Sequence, residues 1–121
     1  MRKGAFLLFI VFACVVWQGN AQNLDSLKLA LKNAKHDTVR CNILNAMVEA
    51  EADDEIWPEY NEQLKALAEK NIAANAEPKK IYLKHLAAAF NNIGYLAETH
   101  GNIPKALQYD SMSLKIKEEI G

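Results

Sequence analysis

Three histidines and two cysteines are the side chains of this 121-residue sequence best suited to nucleophilic or transition-metal chemistry. His36 and Cys41 are five residues apart and would point to different faces of a helix, and His85 and His100 have no second histidine or cysteine at a paired helical spacing. We therefore predict no metal site and no cofactor, and interpret Cys41 as a small, partly buried helix residue. A small enzyme that uses Cys41 or a histidine remains the alternative.

Five carboxylates between residues 49 and 55 could offer oxygen ligands to a hard cation. They are Glu49, Glu51, Asp53, Asp54 and Glu55. The stretch lacks the glycine turn and the ligand rhythm of a calcium loop, so we interpret it as a solvated turn. The sequence also has no glycine-rich phosphate loop, serine elbow or kinase-like motif. We predict that this chain is not itself an enzyme.

The first 21 residues have the pattern of a secretory signal peptide. Arg2 and Lys3 precede an unbroken apolar run over 5–17, and small residues at Gly19 and Ala21 favour cleavage after Ala21. The run is too short to span a bilayer. A lipoprotein-type cut before Cys14 is the alternative. We therefore expect an exported protein, periplasmic or membrane-associated and facing the periplasm.

Cleavage would remove Arg2, Lys3 and Cys14, leaving twelve basic residues of the original 14 against all 15 acidic ones. This acidic balance gives no reason to expect nucleic acid or an anionic membrane as a partner. The small basic group of Lys79, Lys80 and Lys84 lacks arginine and interleaved aromatic residues, so we interpret it as a wet helix face.

The remaining sequence repeats apolar residues every three or four positions and predicts an all-α fold. Helices are expected over 24–35, 38–52, 58–74, 78–100 and from 102 onward. Asp37 and Asn102 are predicted caps, Pro58 and Pro104 lie in first turns, and Gly101 is predicted to end the fourth helix. The predicted buried positions are Leu24, Leu27, Leu29 and Leu31; Val39, Ile43, Leu44, Met47 and Val48; Tyr60, Leu64, Leu67, Ala68 and Ile72; Ile81, Leu83, Leu86, Phe90, Ile93 and Leu96; Ala106, Leu107, Leu114 and Ile116.

The segment 87–120 carries a specific pattern of small and apolar residues. It runs through Phe90, Asn92, Ile93, Gly94, Gly101, Asn102, Lys105, Ala106, Leu107, Tyr109 and Leu114. This resembles one 34-residue tetratricopeptide repeat. The resemblance implies a short α-solenoid of stacked antiparallel helix hairpins, with a helix and a degenerate hairpin over 22–77 and a repeat over 78–121. Ala97, Asp110, Ser113 and Glu118 depart from the repeat pattern, which we expect to weaken its packing.

A leader followed by such repeats resembles the exported front ends of bacterial membrane signalling proteins that end in a histidine kinase, a nucleotide cyclase or a phosphatase. The resemblance implies a protein-interaction module, with any enzymatic output domain and membrane span lying further along. A complete small periplasmic adaptor is the alternative. The last helix would leave apolar surface open, so we expect either further repeats or self-association.

One face of the fourth helix is the predicted binding surface for a protein or peptide. Lys84, Ala88, Asn91, Tyr95 and Glu98 recur at helical spacing, away from Phe90 and Ile93. In the resembled repeats this helix lines the concave side, so the resemblance implies contact with a peptide or a neighbouring domain. The alternative is that these are simply exposed polar positions.

Overall fold

A computed structural model describes residues 23–121, which fold into five helices with no strand among them. The first, α1, covers 23–33 within this range, and four longer helices follow: α2 (Asp37–Ala50), α3 (Trp57–Ala73), α4 (Lys79–Thr99) and α5 (Ile103–Ile120). The all-α prediction is confirmed, and the predicted helix bounds are correct to within a few residues. The proposed leader and its cleavage site at Ala21 lie outside the described residues.

Local signals at the helix ends explain most of these bounds. Pro58 lies in the first turn of α3 and Pro104 in that of α5, where a missing N–H costs nothing. Gly101 has a φ of +77°, the left-handed conformation that glycine adopts without strain. Asn102 caps α5, because its side-chain oxygen accepts a hydrogen bond from the Lys105 N–H at 3.2 Å.

The predicted cap at Asp37 is wrong. His36 occupies the N-cap position without a side-chain hydrogen bond, and Asp37 is the first residue of α2. Its carboxylate instead accepts hydrogen bonds from Arg40 and from Asn71 of α3. Asp37 therefore joins two helices rather than capping one.

Consecutive helices pack as antiparallel hairpins through short connections, so α2 and α4 run in the same direction. Within the described range the backbone of α2 also comes close to that of α4, whereas the backbones of α3 and α5 lie further apart and only their side chains share an apolar cluster. The helices α2 and α4 are therefore closer neighbours than α3 and α5 are. Equivalent helices are widely spaced along the chain: α2 and α4 begin at Asp37 and Lys79, 42 residues apart, and α3 and α5 begin at Trp57 and Ile103, 46 residues apart.

Two apolar clusters form the core. The larger includes Cys41, Leu44, Met47, Leu64, Tyr82 and Ala89, with Leu24, Leu27 and Leu31 of α1 packed against it. The smaller is built from Ala68, Leu86 and Phe90. The ring of Phe90 meets that of Tyr109 at a centroid distance of 5.7 Å and a tilt of 56°, a favourable aromatic arrangement that ties α5 to α4.

Several predicted core positions are instead exposed. Of the predicted core positions, Leu29 on α1, Val39 on α2 and Ile81 on α4 are exposed. Leu107 and Leu114 of α5, also predicted to be buried, face outward. The buried face of α5 holds Ala106 and Ser113, with Tyr109 and Ile116 packed on the smaller cluster. In the range 23–121 no helix is long and apolar enough to cross a membrane.

Candidate functional site

The predicted binding surface on α4 is accessible. Lys84, Asn91, Tyr95 and Glu98 are all exposed, and Ala88 between them is half-buried. Tyr95 keeps 57% of its surface open, which is unusual for so large an aromatic side chain and leaves its ring free for contact. The five residues follow one another along one face of α4, as their spacing predicts.

Helix α2 supplies the other half of this surface. His85 Nε2 donates a hydrogen bond to Asn42 Oδ1 at 3.0 Å, which holds the two parallel helices side by side. Asn42 shares its helical face with Thr38, Asn45 and Glu49. We define the inner face as this α2 row together with Lys84, His85, Ala88, Asn91, Tyr95 and Glu98 of α4.

Burial disfavours the charged form of His85. Its half-buried position and the neighbouring Lys84 lower the pKa of the imidazole, with burial the larger cause. The hydrogen bond to Asn42 needs only one ring N–H, so the uncharged imidazole can make it. The sequence did not single out Asn42 or His85 for this contact, because the two residues are 43 positions apart and their contact depends on how α2 and α4 are aligned.

Buried polar side chains fasten α4 from behind. Asn61 of α3 is 1% exposed, and its Nδ2 donates to the Ala89 carbonyl oxygen at 3.0 Å. Asn61 Oδ1 accepts a hydrogen bond from Asn92 Nδ2 at 2.9 Å. From the other side, Ser113 Oγ of α5 donates to the Ala87 carbonyl oxygen at 2.8 Å.

Ser113 is one of the residues that depart from the repeat pattern. It is buried, and its hydroxyl is hydrogen-bonded. Asn61 of α3 and Ser113 of α5 thus bind the carbonyl groups of Ala89 and Ala87, so the helix that presents Tyr95 is held on both sides.

The candidate nucleophile is inaccessible. Cys41 is fully buried rather than partly buried, and its desolvation, with a smaller effect from Asp37, raises the pKa of the thiol to about 11. His36 and His100 are exposed and lie on different connections. In the part of the chain that the structure describes, no group of three histidine, cysteine, aspartate or glutamate side chains could hold a metal ion.

The acidic stretch after α2 forms a structured turn. Asp54 accepts a hydrogen bond from the Trp57 indole N–H at 2.7 Å, and Asp53 accepts one from the Glu55 backbone N–H at 2.9 Å. Glu51 in turn accepts the Asp53 backbone N–H at 3.1 Å. These carboxylates order the approach to α3, which is a structural role.

Comparisons with protein-family models, with characterised proteins and with solved structures find no match for this chain.

Proposed function

We propose that this chain is a protein-interaction module that binds a peptide or a neighbouring domain on the inner face. The observation that carries the proposal is the pairing of α2 and α4 through Asn42 and His85, which makes one continuous surface from two helices. The bonds from Asn61 and Ser113 hold α4 in place, so little ordering is needed when a partner binds.

The side chains of the inner face suit an extended peptide. Asn42, Asn45 and Asn91 each carry both donors and an acceptor, which is what an unpaired peptide backbone requires. Tyr95 offers a large ring at small entropic cost, a common anchor at interfaces. Lys84 and Glu98, four turns apart on α4, would favour partners with opposite charges at matching distances.

The resemblance to tetratricopeptide repeats supports the same function. The repeat pattern over 87–120 covers the second half of α4 and α5, and Gly94 lies where these two helices cross closely. The proposal includes export, with the chain as the leading part of a larger bacterial signalling protein. The pattern of residues 1–21 supports the proposal of export. If cleavage follows Ala21, the protein recovered after secretion begins at Gln22.

Selection of peptide ligands tests the binding surface. Peptides from a random display library that bind the full chain would be measured against the double variant Asn91→Ala/Tyr95→Ala. We expect about tenfold weaker binding or more, as for interface anchor residues.

The matched control is Leu107→Ala/Gln108→Ala, which also removes one large exposed side chain and one amide, but from the outer face of α5. Circular dichroism would verify that both variants keep their helicity. Equal affinity of the native chain and the Asn91→Ala/Tyr95→Ala variant would exclude the inner face as the binding site.

A further inference from the structure

A polar pocket of about 470 Å³ lies at one end of the molecule, where α2 and α4 begin and α3 ends. The side chains that matter for its chemistry are Lys35, His36, Arg40, Lys70, Glu77 and Tyr82. Thr38, the first residue of the α2 row, also lines the pocket, so the pocket adjoins one end of the inner face, and the other residues of that face lie outside it.

Tyr82 presents a free hydroxyl to this pocket. The residue is only 4% exposed, and its hydroxyl forms no hydrogen bond with any residue from 23 to 121. In that same range no buried side-chain nitrogen or oxygen lacks a partner, so the hydroxyl oxygen must reach the surface, and Tyr82 lines this pocket. A buried ring thus holds one available O–H donor in a fixed position.

The start of α2 adds backbone donors. The first N–H of this helix with a main-chain partner is that of Arg40, which donates to the His36 carbonyl oxygen at 3.0 Å. The N–H groups of Asp37, Thr38 and Val39 have no acceptor within the described residues, and no side chain caps the helix. Such groups at a helix start favour an anion through their direction and the helix dipole.

Two lysines at the pocket are unpaired. Arg40 is occupied, because it donates to Asp37 and to the Ala34 carbonyl oxygen. Asp37 also lines the pocket and is ionised, because hydrogen bonds from Asn71, and secondly from Arg40, hold the pKa of its carboxyl below the usual value; its negative charge is balanced by the Arg40 guanidinium. Lys35 and Lys70 form no ion pair with any described residue, which leaves both charges available.

We propose that this pocket binds a phosphate-class oxyanion, held by Lys35, Lys70, the Tyr82 hydroxyl and the free N–H groups of α2. The donors come from the α1–α2 connection, α2, α3 and α4, so they approach from several directions. A tetrahedral group with three or more oxygens can meet all of them, whereas a planar carboxylate offers only two. The phosphate could be free or part of a phosphomonoester. The inference does not depend on the proposed function.

Titration of the full chain with inorganic phosphate tests this site. Chloride would hold the ionic strength constant, and the amide resonances of Thr38 and Val39 would be followed by NMR. We expect saturable shifts, about tenfold weaker binding for Lys70→Gln and Tyr82→Phe, and tighter binding for Glu77→Gln, which removes an opposing charge at the rim. Lys28→Gln, an exposed lysine of α1 outside the pocket, is the matched control and should bind as the native chain does.

Titrations with two other anions identify the class of ligand. Acetate should bind at least about tenfold more weakly than phosphate, since it has fewer oxygens to offer. O-Phosphoserine that binds more tightly than inorganic phosphate would identify a phosphomonoester, and weaker binding would identify free phosphate. Shifts that do not saturate, equal affinity for acetate, or equal weakening by Lys28→Gln and Lys70→Gln would each overturn the proposal. Unchanged thermal midpoints would verify that the variants are folded.

Discussion

At the scale of single residues, Asn61 does more than fill the core. It donates to the backbone of α4 and accepts from Asn92, so its amide uses both of its ends at 1% exposure. We predict that Asn61→Ala lowers the free energy of unfolding by about 2 kcal/mol, because it leaves the Asn92 amide without its partner. Asn92→Ala, which breaks one bond at a half-buried site, should cost about 1 kcal/mol.

Urea denaturation of the two single variants and the double variant measures the coupling between Asn61 and Asn92. We expect a coupling of at least about 0.5 kcal/mol, as is usual for residues in one hydrogen-bond network. Strict additivity of the two losses would show that this bond contributes nothing to stability.

The Asp37 carboxylate makes the free energy of unfolding depend on pH. The pKa of its carboxyl is lowered in the folded chain by the hydrogen bonds from Asn71 and Arg40, from an ordinary value of 3.8. The folded state therefore binds the proton less readily than the unfolded state, and the contribution of Asp37 is present above pH 3.8 and is lost as the pH falls through the lowered folded value. Asp37→Asn, which imitates the protonated form, should be less stable than the native chain at pH 6, and this difference should shrink below pH 4.

Denaturation curves at both pH values test the prediction. The control is Asp25→Asn, at an exposed aspartate of α1, which should cost little at either pH. A difference between the native chain and Asp37→Asn that stays constant from pH 6 to pH 3 would contradict the role given to the ionised carboxylate.

At the scale of helices, the sequence predicts where most helices begin and end, but it predicts only in part which face of each helix is buried. Pro58, Gly101 and Asn102 act on their own neighbours, so their effects are readable without knowing the fold. The buried face of α5 depends on its partner. Because α4 and α5 cross closely, small residues at Ala106 and Ser113 fill the contact, and the larger Leu107 and Leu114 lie outside.

The candidate site also has features that the sequence predicts and features that it does not. Exposure of Asn91 and Tyr95 follows from the periodicity of one helix, and the structure agrees with it. The contact of Asn42 with His85 requires the alignment of α2 with α4, which no local pattern encodes. The hydrogen bonds of Asn61 were missed for the same reason, since a buried asparagine cannot be distinguished from an exposed one by residue type.

The crossing of α4 and α5 can be tested at Gly94. A Cβ added there would lie 2.2 Å from Asp110 Oδ1 and 3.3 Å from the Ala106 carbonyl oxygen. The carboxylate can rotate away but the backbone cannot, so the clash offsets the helix propensity of about 1 kcal/mol that alanine gains over glycine. We predict that Gly94→Ala is at least about 0.5 kcal/mol more favourable in an Asp110→Ala background than in the native chain.

Thermal or urea unfolding of this set of variants provides the measurement. Gly101→Ala is the control, because its left-handed φ makes any side chain strained while no atom lies within 4 Å of the added Cβ. Its cost should be the same with and without Asp110. If Gly94→Ala behaves in the same additive way, the carboxylate does not limit the approach of the two helices.

At the scale of the whole molecule, the outer face of α5 is an apolar surface that remains uncovered when α5 packs on α4. Leu107 is 63% exposed and Leu114 57%, and with Ile103 they form one stripe along the helix. Apolar stripes of this kind favour association. We predict that the chain beginning at Gln22 self-associates as its concentration rises, and that Leu107→Gln/Leu114→Gln abolishes this association.

Sedimentation equilibrium over a range of concentrations measures the effect, and Leu29→Gln is the matched control because Leu29 is 61% exposed on α1, away from the stripe. Starting the chain at Gln22 removes the run over 5–17, whose apolar side chains would otherwise favour association by themselves. Association that survives in the α5 variant but is lost with Leu29→Gln would assign the contact to α1. A monomer at every concentration would mean that the stripe is too small to hold two chains together, and that the inner face, with Tyr95 at its centre, is the surface on which a partner must be sought.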